Sequence, residues 1–290
     1  MSTGAPAPGG RPVIVHYHVF KNAGSTVDFI LRRNFGDRFL SFDGPEPWSV
    51  IPSDEVLRLL LDRPELSAVS SHQARFPVPR HATLQVHPIL FLRHPLDRIG
   101  SVYRFERAQV EDNPGSRQAK ARGFADYVRW RLEGPFRIVV QDFHTLYLSD
   151  AQIGLADPRA ARAEPRHLEQ ATCVLASHVF GLVERFEDSM VLFDDALRGP
   201  FPRLDLAWAP QNVSAGRKDD LEERLDDLRH ELGAELYARC VEANRLDLEL
   251  YTFAERLFEE RLRRIEDLGR RRSHLRERAQ LLVTTTEDPT

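Results

Sequence analysis

A short stretch near the amino terminus, Lys21-Asn22-Ala23-Gly24-Ser25-Thr26, combines residue types that suit the binding of an anion. Lys21 supplies a full positive charge, and the hydroxyls of Ser25 and Thr26 can donate hydrogen bonds to phosphate oxygens. Gly24 lets the backbone come close to a ligand. The stretch predicts a phosphate-binding loop, with an ordinary turn capped by serine or threonine as the alternative.

The elements on either side of this loop explain how it would bind an anion. A β-branched and aromatic run from Val13 to Phe20 predicts a strand, and the apolar spacing from Val27 to Leu31 predicts an amphipathic helix. A helix that starts directly after a loop points its unpaired N–H groups and the positive end of its dipole at one place. That place favours a phosphate group.

The order of residues in the loop differs from that of the Walker A motif. In that motif the lysine directly follows the last glycine, whereas here Lys21 precedes Gly24. Val19 and Phe20 stand directly before the lysine, so no glycine opens the loop. The sequence therefore disfavours a nucleoside triphosphatase.

Length and composition place the chain among globular proteins. Its 290 residues are 42% hydrophobic and carry a formal net charge of -4, which allows a full core and argues against general nucleic-acid binding. The two cysteines, Cys173 and Cys240, suggest neither a disulfide framework nor a metal site, and no histidine falls in a metal-binding pattern. Because no signal peptide or membrane-spanning run is recognised, we expect a soluble, cytoplasmic protein.

Strand-like and helical runs alternate along the first part of the chain. The strand-like runs are Val13 to Phe20, Leu66 to Ser71, Pro88 to Leu92 and Val179 to Phe186. This alternation predicts an α/β fold with a mainly parallel sheet flanked by helices, and regularly spaced leucines later in the chain predict a helical C-terminal extension. The expected organisation is a disordered segment at 1–10, a core at 11–218, the helical extension at 219–283 and a disordered tail at 284–290.

A second stretch, which runs through Arg93 and Ser101, follows the same order of strand and helix. Arg93 lies at the end of the predicted strand, and Ser101 lies in the helix that follows it. In open α/β sheets, ligands gather at the carboxyl ends of strands, so Arg93 and Lys21 would reach the same edge. We expect Arg93 and Ser101 to share a bound anion; the alternative is that Arg93 is a surface salt-bridge partner.

The two stretches together resemble motifs of the sulfotransferase family that includes the heparan-sulfate uronosyl 2-O-sulfotransferases and many bacterial members. Residues His18 to Thr26 resemble the family's 5'-phosphosulfate loop, H-I-P-K-x-x-G-[ST]-[ST], with Phe20 in place of the proline. Residues Leu92 to Tyr103 resemble its 3'-phosphate motif, L-R-[DH]-P-x-x-R-x-x-S-x-Y. Further stretches that resemble family motifs are Leu146 to Asp150, Phe180 to Ser189, Asn212 to Ser214 and Leu246 to Tyr251.

The resemblance implies a P-loop-like fold and an enzyme that transfers a sulfuryl group from 3'-phosphoadenosine 5'-phosphosulfate (PAPS) to a hydroxyl group. The expected acceptor is a carbohydrate or glycan. Peptide tyrosine or a small metabolite is the alternative acceptor, and a non-catalytic nucleotide-binding adaptor is the alternative class. No metal is expected, because no pair of acidic residues accompanies the lysine loop. The charged, leucine-spaced C-terminal helices suggest a homodimer; the alternative is that they pack back on the core of the same chain.

The resemblance also assigns nucleotide contacts to individual residues. Lys21 would stabilise the leaving phosphate oxygen. Arg93 and Ser101 would hold the 3'-phosphate. Arg217 and Lys218 would close over the nucleotide; the alternative is a solvated pair of loop charges. The amides and hydroxyls that would hold the 5'-phosphate belong to Asn22, Ala23, Gly24, Ser25 and Thr26.

On the acceptor side, sulfuryl transfer needs a general base that works near neutral pH, which favours a histidine. His72 follows the strand-like run Leu66 to Ser71 and resembles the histidine of the family's G-H motif, so it would be this base; the alternative is a structural histidine. His16 and His18 are expected to pack or bond to backbone within the first strand. Asp28 is expected to be a solvated surface residue.

Overall fold

The computed structural model describes residues 9–209 and 218–286. These residues form two compact units. Unit 1 comprises the described parts of Met1–Leu92, Thr172–Asn212 and Ala254–Thr290, and unit 2 those of Arg93–Ala171 and Val213–Phe253. Of the terminal segments predicted to be disordered, 1–8 and 287–290 lie outside the described residues, whereas 284–286 belong to a helix.

Unit 1 contains a parallel sheet of five strands. They are β1 (Arg11–Tyr17), β2 (Phe39–Ser41), β3 (Ala68–Ser71), β4 (Leu84–Leu92) and β5 (Gly181–Leu182), in the order β2-β3-β1-β4-β5. All pairings between them are parallel. Tyr17 at the end of β1 pairs with Ser71 of β3 and with Leu90 of β4, so these three strands end at the same edge. The predicted α/β fold with a mainly parallel sheet is confirmed.

The strands differ in length from the predicted runs. β1 ends at Tyr17 and not at Phe20, because the N–H of Val19 turns back to the carbonyl of Tyr17. The run from Val179 to Phe186 yields only the two residues of β5 before helical backbone begins. An apolar run can form a strand or a helix start, and the sequence alone did not separate the two here.

Unit 1 also contains helices, and several of them share one buried core with the sheet. They include α1 (Gly24–Phe35), α2 (Ser53–Asp62), α8 (Phe186–Leu197) and α11 (Leu268–Thr286). One buried core joins Ile14 of β1, Ile30 of α1, Phe91 of β4, Val191 of α8 and Leu275 of α11. This core fixes the end of β1 and the start of α1, which flank the lysine loop.

Unit 2 is helical within the described residues. It contains α3 (Pro95–Ala108), α4 (Pro114–Ala121), α5 (Phe124–Glu133), α6 (Phe143–Tyr147) and α9 (Leu221–Ala243), while α7 (Pro165–Ser177) and α10 (Arg245–Leu262) have residues in both units. Leu228, Leu232 and Leu236 of α9 share a buried core with Ile99 of α3 and Tyr127 of α5. The predicted C-terminal extension is therefore helical, and its leucine spacing is explained by packing within unit 2. None of the described helices is long and apolar enough to cross a membrane.

Candidate functional site

The loop between β1 and α1 has the backbone form that suits an anion. Lys21 and Ala23 have φ angles of 65° and 62°, in the left-handed region. Such turns direct neighbouring N–H groups to one side. Ala23 is the N-cap of α1 and makes no side-chain hydrogen bond to the first turn. The start of α1 is therefore not capped by its own N-cap side chain.

A buried asparagine fastens this loop to the sheet. Asn22 is 1% exposed, and its side-chain Nδ2 donates a 2.7 Å hydrogen bond to the carbonyl oxygen of Phe91 in β4. Lys21 is half-buried, Ser25 is exposed and Thr26 is buried in the first turn of α1. Of the two predicted hydroxyl donors, Ser25 is therefore the one that lies at the surface.

The glycine of the loop is explained by the ring of His18. A Cβ atom at Gly24 would overlap Cδ2 and Nε2 of that ring. The backbone of Gly24 is not in the left-handed region, so its conformation alone would accept another residue. His18 is the first residue after β1. The prediction that it lies within the first strand is therefore wrong. The loop and this histidine are thus packed as one structure.

Asp28 in α1 accepts hydrogen bonds from two histidines. Its Oδ1 lies 2.8 Å from Nδ1 of His16, and its Oδ2 lies 2.9 Å from Nδ1 of His18. The side chain of Asp28 is 17% exposed, so the prediction of a solvated surface residue is wrong. The second turn of α1 faces the end of β1, which places the carboxylate between the two rings. Nδ1 of His16 also lies 2.9 Å from Oγ of Ser70 in β3.

The charges of this triad follow from burial and hydrogen bonding. Burial lowers the pKa of His18 to about 4, although the hydrogen bond to Asp28 acts in the opposite direction. Burial alone would raise the pKa of Asp28, but the hydrogen bonds from His16 and His18 outweigh it and leave that pKa well below its ordinary value. At neutral pH, Asp28 is therefore ionised and His18 is a neutral ring that donates through Nδ1.

The same three residues are also of types that bind metal ions, and their ligand atoms lie within 4.8 Å of one another. The separations between nitrogen and oxygen are 2.8 and 2.9 Å, as in ordinary N–H···O hydrogen bonds. In a tetrahedral zinc site with bonds of about 2.0–2.2 Å, neighbouring ligand atoms would lie about 3.3–3.6 Å apart. The geometry of His16, His18 and Asp28 therefore favours a hydrogen-bonded triad.

His72 forms a pair with a carboxylate that the sequence analysis missed. It follows β3 directly, and its Nδ1 lies 3.0 Å from Oδ2 of Asp43, the second residue after β2. Oδ1 of Asp43 accepts from the backbone N–H of His72 at 2.9 Å and from the hydroxyl of Ser71 at 2.8 Å. Burial raises the pKa of Asp43, but the bonds from His72 and Ser71 outweigh it, so the pKa is lowered. The ionised carboxylate holds His72 through Nδ1 and leaves Nε2 for other partners.

The ring of His18 joins the lysine loop to His72. The His18 and His72 rings are stacked with centroids 3.8 Å apart, and the rings of His16 and His18 are stacked at 5.0 Å. This contact follows from the sheet register, since Tyr17 and Ser71 pair and the two histidines are the residues that come next. Unit 1 therefore brings together two of the predicted features, the loop that starts at Lys21 and the histidine at position 72.

In unit 2, Arg93 is buried and paired. Its Nε donates a 2.7 Å hydrogen bond to Oδ2 of Asp97, and Oδ1 of Asp97 accepts from Nε of Arg224 at 3.0 Å. All three side chains are less than one-tenth exposed. One carboxylate thus lies between two guanidinium groups, and the trio carries a net positive charge.

Two further residues of α3 lie near this trio. Ser101 is buried and is four residues after Asp97, so both lie on one face of the helix. Arg104 is three residues after Ser101 and is exposed. Partial burial and the charges of Arg93 and Arg224 lower the pKa of Arg104, while the charges of Asp97 and Glu231 act in the opposite direction. Unit 2 therefore gathers three arginines about one aspartate beside the predicted Ser101.

The remaining two predicted nucleotide contacts have different positions. Lys218 is exposed, and its Nζ lies 2.9 Å from Oδ1 of Asp227 in α9. Arg217 lies outside the described residues, as does the stretch from Asn212 to Ser214. The contact of both residues with a nucleotide stays a prediction.

No family model matches the chain. A protein of Archaeoglobus fulgidus, described as uncharacterized, is 35% identical to this chain over 248 residues, which are 83% of this chain and 95% of the archaeal protein. The chain belongs to the same family as this archaeal protein. Because the match covers most of both chains, the similarity extends well beyond the lysine loop or the Arg93 stretch.

Proposed function

We propose that the protein is a sulfotransferase, which transfers a sulfuryl group from PAPS to a hydroxyl group of a carbohydrate or glycan. The observation that carries this proposal is the contact of His18 with both Gly24 and His72. Through it, an anion-type loop and a histidine paired with an aspartate lie next to each other. A transferase of this kind needs both features: a binding site for the leaving phosphate and a general base for the attacking hydroxyl.

The loop residues fit the leaving side of the reaction. Sulfuryl transfer, like phosphoryl transfer, has a loose in-line transition state, so the protein acts mainly by positioning groups and by stabilising charge. Lys21 would stabilise negative charge on the phosphate oxygen as its bond to sulfur breaks. The backbone amides of Gly24 and Ser25 and the exposed hydroxyl of Ser25 would hold the remaining phosphate oxygens. The N–H groups of Asn22 and Thr26 instead donate to the carbonyls of Val19 and Ala23.

The pair of His72 and Asp43 fits the acceptor side. Nδ1–H of His72 donates to Asp43, so Nε2 carries the lone pair and accepts the proton of the attacking hydroxyl. A new bond forms between that oxygen and sulfur as the bond to the phosphate oxygen breaks. Asp43 then stabilises the protonated ring. It acts as a positioning residue, because it orients the imidazole and fixes which nitrogen is protonated.

The arginines of unit 2 fit a second phosphate, as the 3'-phosphate of this donor requires. The three arginines, Arg93, Arg104 and Arg224, outnumber the two acidic residues near them, Asp97 and Glu231, so an added phosphate would find an excess of positive charge. Guanidinium groups often bind phosphate in a bidentate geometry, with two parallel N–H···O hydrogen bonds. Ser101 would add a hydroxyl donor on the same face of α3.

The first test is turnover. We expect the protein to release 3'-phosphoadenosine 5'-phosphate from PAPS when a carbohydrate acceptor is present, and we expect the same rate in a metal-chelating buffer, because no step above uses a metal. The assay uses a panel of glycans, tyrosine peptides and small alcohols, with Lys21→Ala as the inactive control. Nucleotide binding without turnover on any acceptor would favour an adaptor. Loss of turnover on chelation, restored by magnesium or zinc, would contradict the metal-free step.

A second test concerns Arg93. Arg93→Ala should weaken binding of 3'-phosphoadenosine 5'-phosphate by about 1.5–3 kcal/mol, because it removes a charged partner of the 3'-phosphate. Adenosine 5'-phosphate, which lacks that group, should bind the parent and the variant with similar affinity. Calorimetry on both nucleotides measures the difference. Arg107→Ala is the matched control, since Arg107 is an exposed arginine of the same helix; equal losses for both nucleotides would remove the assignment.

A further inference from the structure

A groove of about 800 Å³ lies in unit 1 beside the first part of β4. Its walls come from the loop after Phe76, from β4, from the turn after α7 and from α8. β5 pairs with β4 only at Phe91 and Leu92, so among the described residues no strand covers 85–90 of β4 on that side. Pro88 is compatible with such an uncovered edge. Neither the lysine loop nor His72 lines this groove.

Most of the groove wall is apolar. The apolar lining includes Val86 and Pro88 of β4 and Phe193 and Leu197 of α8. Val179, from the segment between α7 and β5, also belongs to it. Ligand sites in proteins usually measure about 300–1,000 Å³ and combine an apolar lining with a small number of polar groups. The groove has the size and the lining that a small organic molecule requires.

The polar groups of the wall have one sign of charge. The residues that line the groove include no aspartate or glutamate. Arg80 is exposed and forms no salt bridge with any residue that the structure describes. Burial and the nearby charges of Arg80 and Arg261 lower the pKa of His178, so this ring is neutral at pH 7. One unpaired positive charge in an apolar groove complements a ligand with a single negative charge.

One residue of the wall, His87, has a ring nitrogen that is not exposed in the groove. Nε2 of His87 is buried and has no hydrogen-bond partner among the described residues. Burial lowers the pKa of His87, so the ring is neutral and Nε2 carries either a hydrogen or a lone pair. Because this nitrogen is closed to water and the ring packs against Phe201, a ligand in the groove cannot reach it, and Arg80 is the charged group that such a ligand would meet.

We propose that this groove binds a small organic acid, with an apolar or aromatic body against β4 and α8 and a carboxylate at Arg80. The proposal does not depend on the proposed sulfotransferase activity, because it uses none of the residues assigned to that reaction. The ligand class follows from the lining: an apolar body matches the walls, and a single carboxylate matches the single unpaired arginine.

Calorimetric titration with 1-naphthoate tests the proposal, with neutral 1-naphthalenemethanol as the uncharged counterpart. We expect 1-naphthoate to bind the parent, and Arg80→Gln to weaken that binding by about three- to tenfold through loss of a charge-assisted contact. Ala196→Phe places a large side chain at an exposed position of the wall in α8 and should abolish binding without harming the fold. Arg58→Gln, on an exposed arginine of α2 outside the wall, should bind like the parent.

Three results would overturn the proposal. The first is the absence of 1-naphthoate binding to the parent at millimolar concentration. The second is unchanged binding by Ala196→Phe, which would place the ligand elsewhere. The third is equal affinity of the acid and the alcohol in the parent, which would remove the role of Arg80. Melting temperatures of the same variants show whether each protein is folded when it is titrated.

Discussion

Replacement of His72 by alanine should lower turnover by about 10²–10⁴-fold, which is the usual contribution of a general base. Binding of 3'-phosphoadenosine 5'-phosphate should be nearly unchanged, since the nucleotide contacts are assigned to other residues. His72 is 44% exposed on its side chain, so its loss should also leave the melting temperature close to that of the parent. Initial rates, calorimetry and thermal unfolding on one preparation measure all three quantities.

The matched control for this variant is His274→Ala, on an exposed histidine of α11 in the same unit. It should leave rate, affinity and stability unchanged. Asp43→Asn provides an independent check: it keeps the shape of the side chain but removes the charge that orients His72, so turnover should fall by a smaller factor. Near-parental turnover of His72→Ala would end its assignment as the base. A joint loss of stability and nucleotide affinity would instead indicate a structural histidine.

The second large effect is expected on stability. Asp28→Ala removes the acceptor that His16 and His18 share and leaves two buried ring N–H groups in need of partners. At about 1–3 kcal/mol for each unsatisfied donor, the free energy of unfolding should fall by about 2–5 kcal/mol, since Ser70 can still bond to His16. Denaturant unfolding measures this loss directly.

The structure predicts that Asp28→Ala also affects the loop. The ring of His18 packs on Gly24 and stacks on His72, so a His18 that is no longer held by Asp28 should loosen both contacts. Turnover should therefore fall even at temperatures where the variant is folded. Asp54→Ala, on an exposed aspartate of α2, is the control and should change neither property. A loss below about 0.5 kcal/mol for Asp28→Ala, as for an ordinary surface site, would contradict the buried triad.

The lysine loop could be predicted from the sequence because its signals are local. A strand-like run, a lysine, a glycine and an amphipathic helix follow one another within residues 13–31, and the structure has β1, the loop and α1 in that order. The start of α3 after Arg93 is local in the same sense. Signals of this kind depend on residues that are neighbours along the chain, so they can be recognised without knowing the order of strands in the sheet.

The partners of these residues could not be predicted in the same way. Asp43 meets His72 only because β2 and β3 are neighbours in the sheet, and the short run before Asp43 gave no clear strand signal. Arg224 meets Asp97 across 127 positions of the chain. Asp28 lies among apolar residues of α1, and that context was a usable sign of burial. Pairings across a fold depend on topology, which a single sequence leaves open.

The route of the chain through unit 1 has a consequence for its synthesis. Leu275 and Ala279 of α11, the last described helix, are buried in the same core as Ile14 of β1 and Ile30 of α1. The ribosome makes a chain from its amino end, so these early elements emerge long before the helix that completes their core. The two segments of unit 2 both end before Ala254 and can assemble sooner. The five strands are therefore made before the second segment of unit 2, but the core that holds the end of β1 and the start of α1 is completed only when α11 has been made.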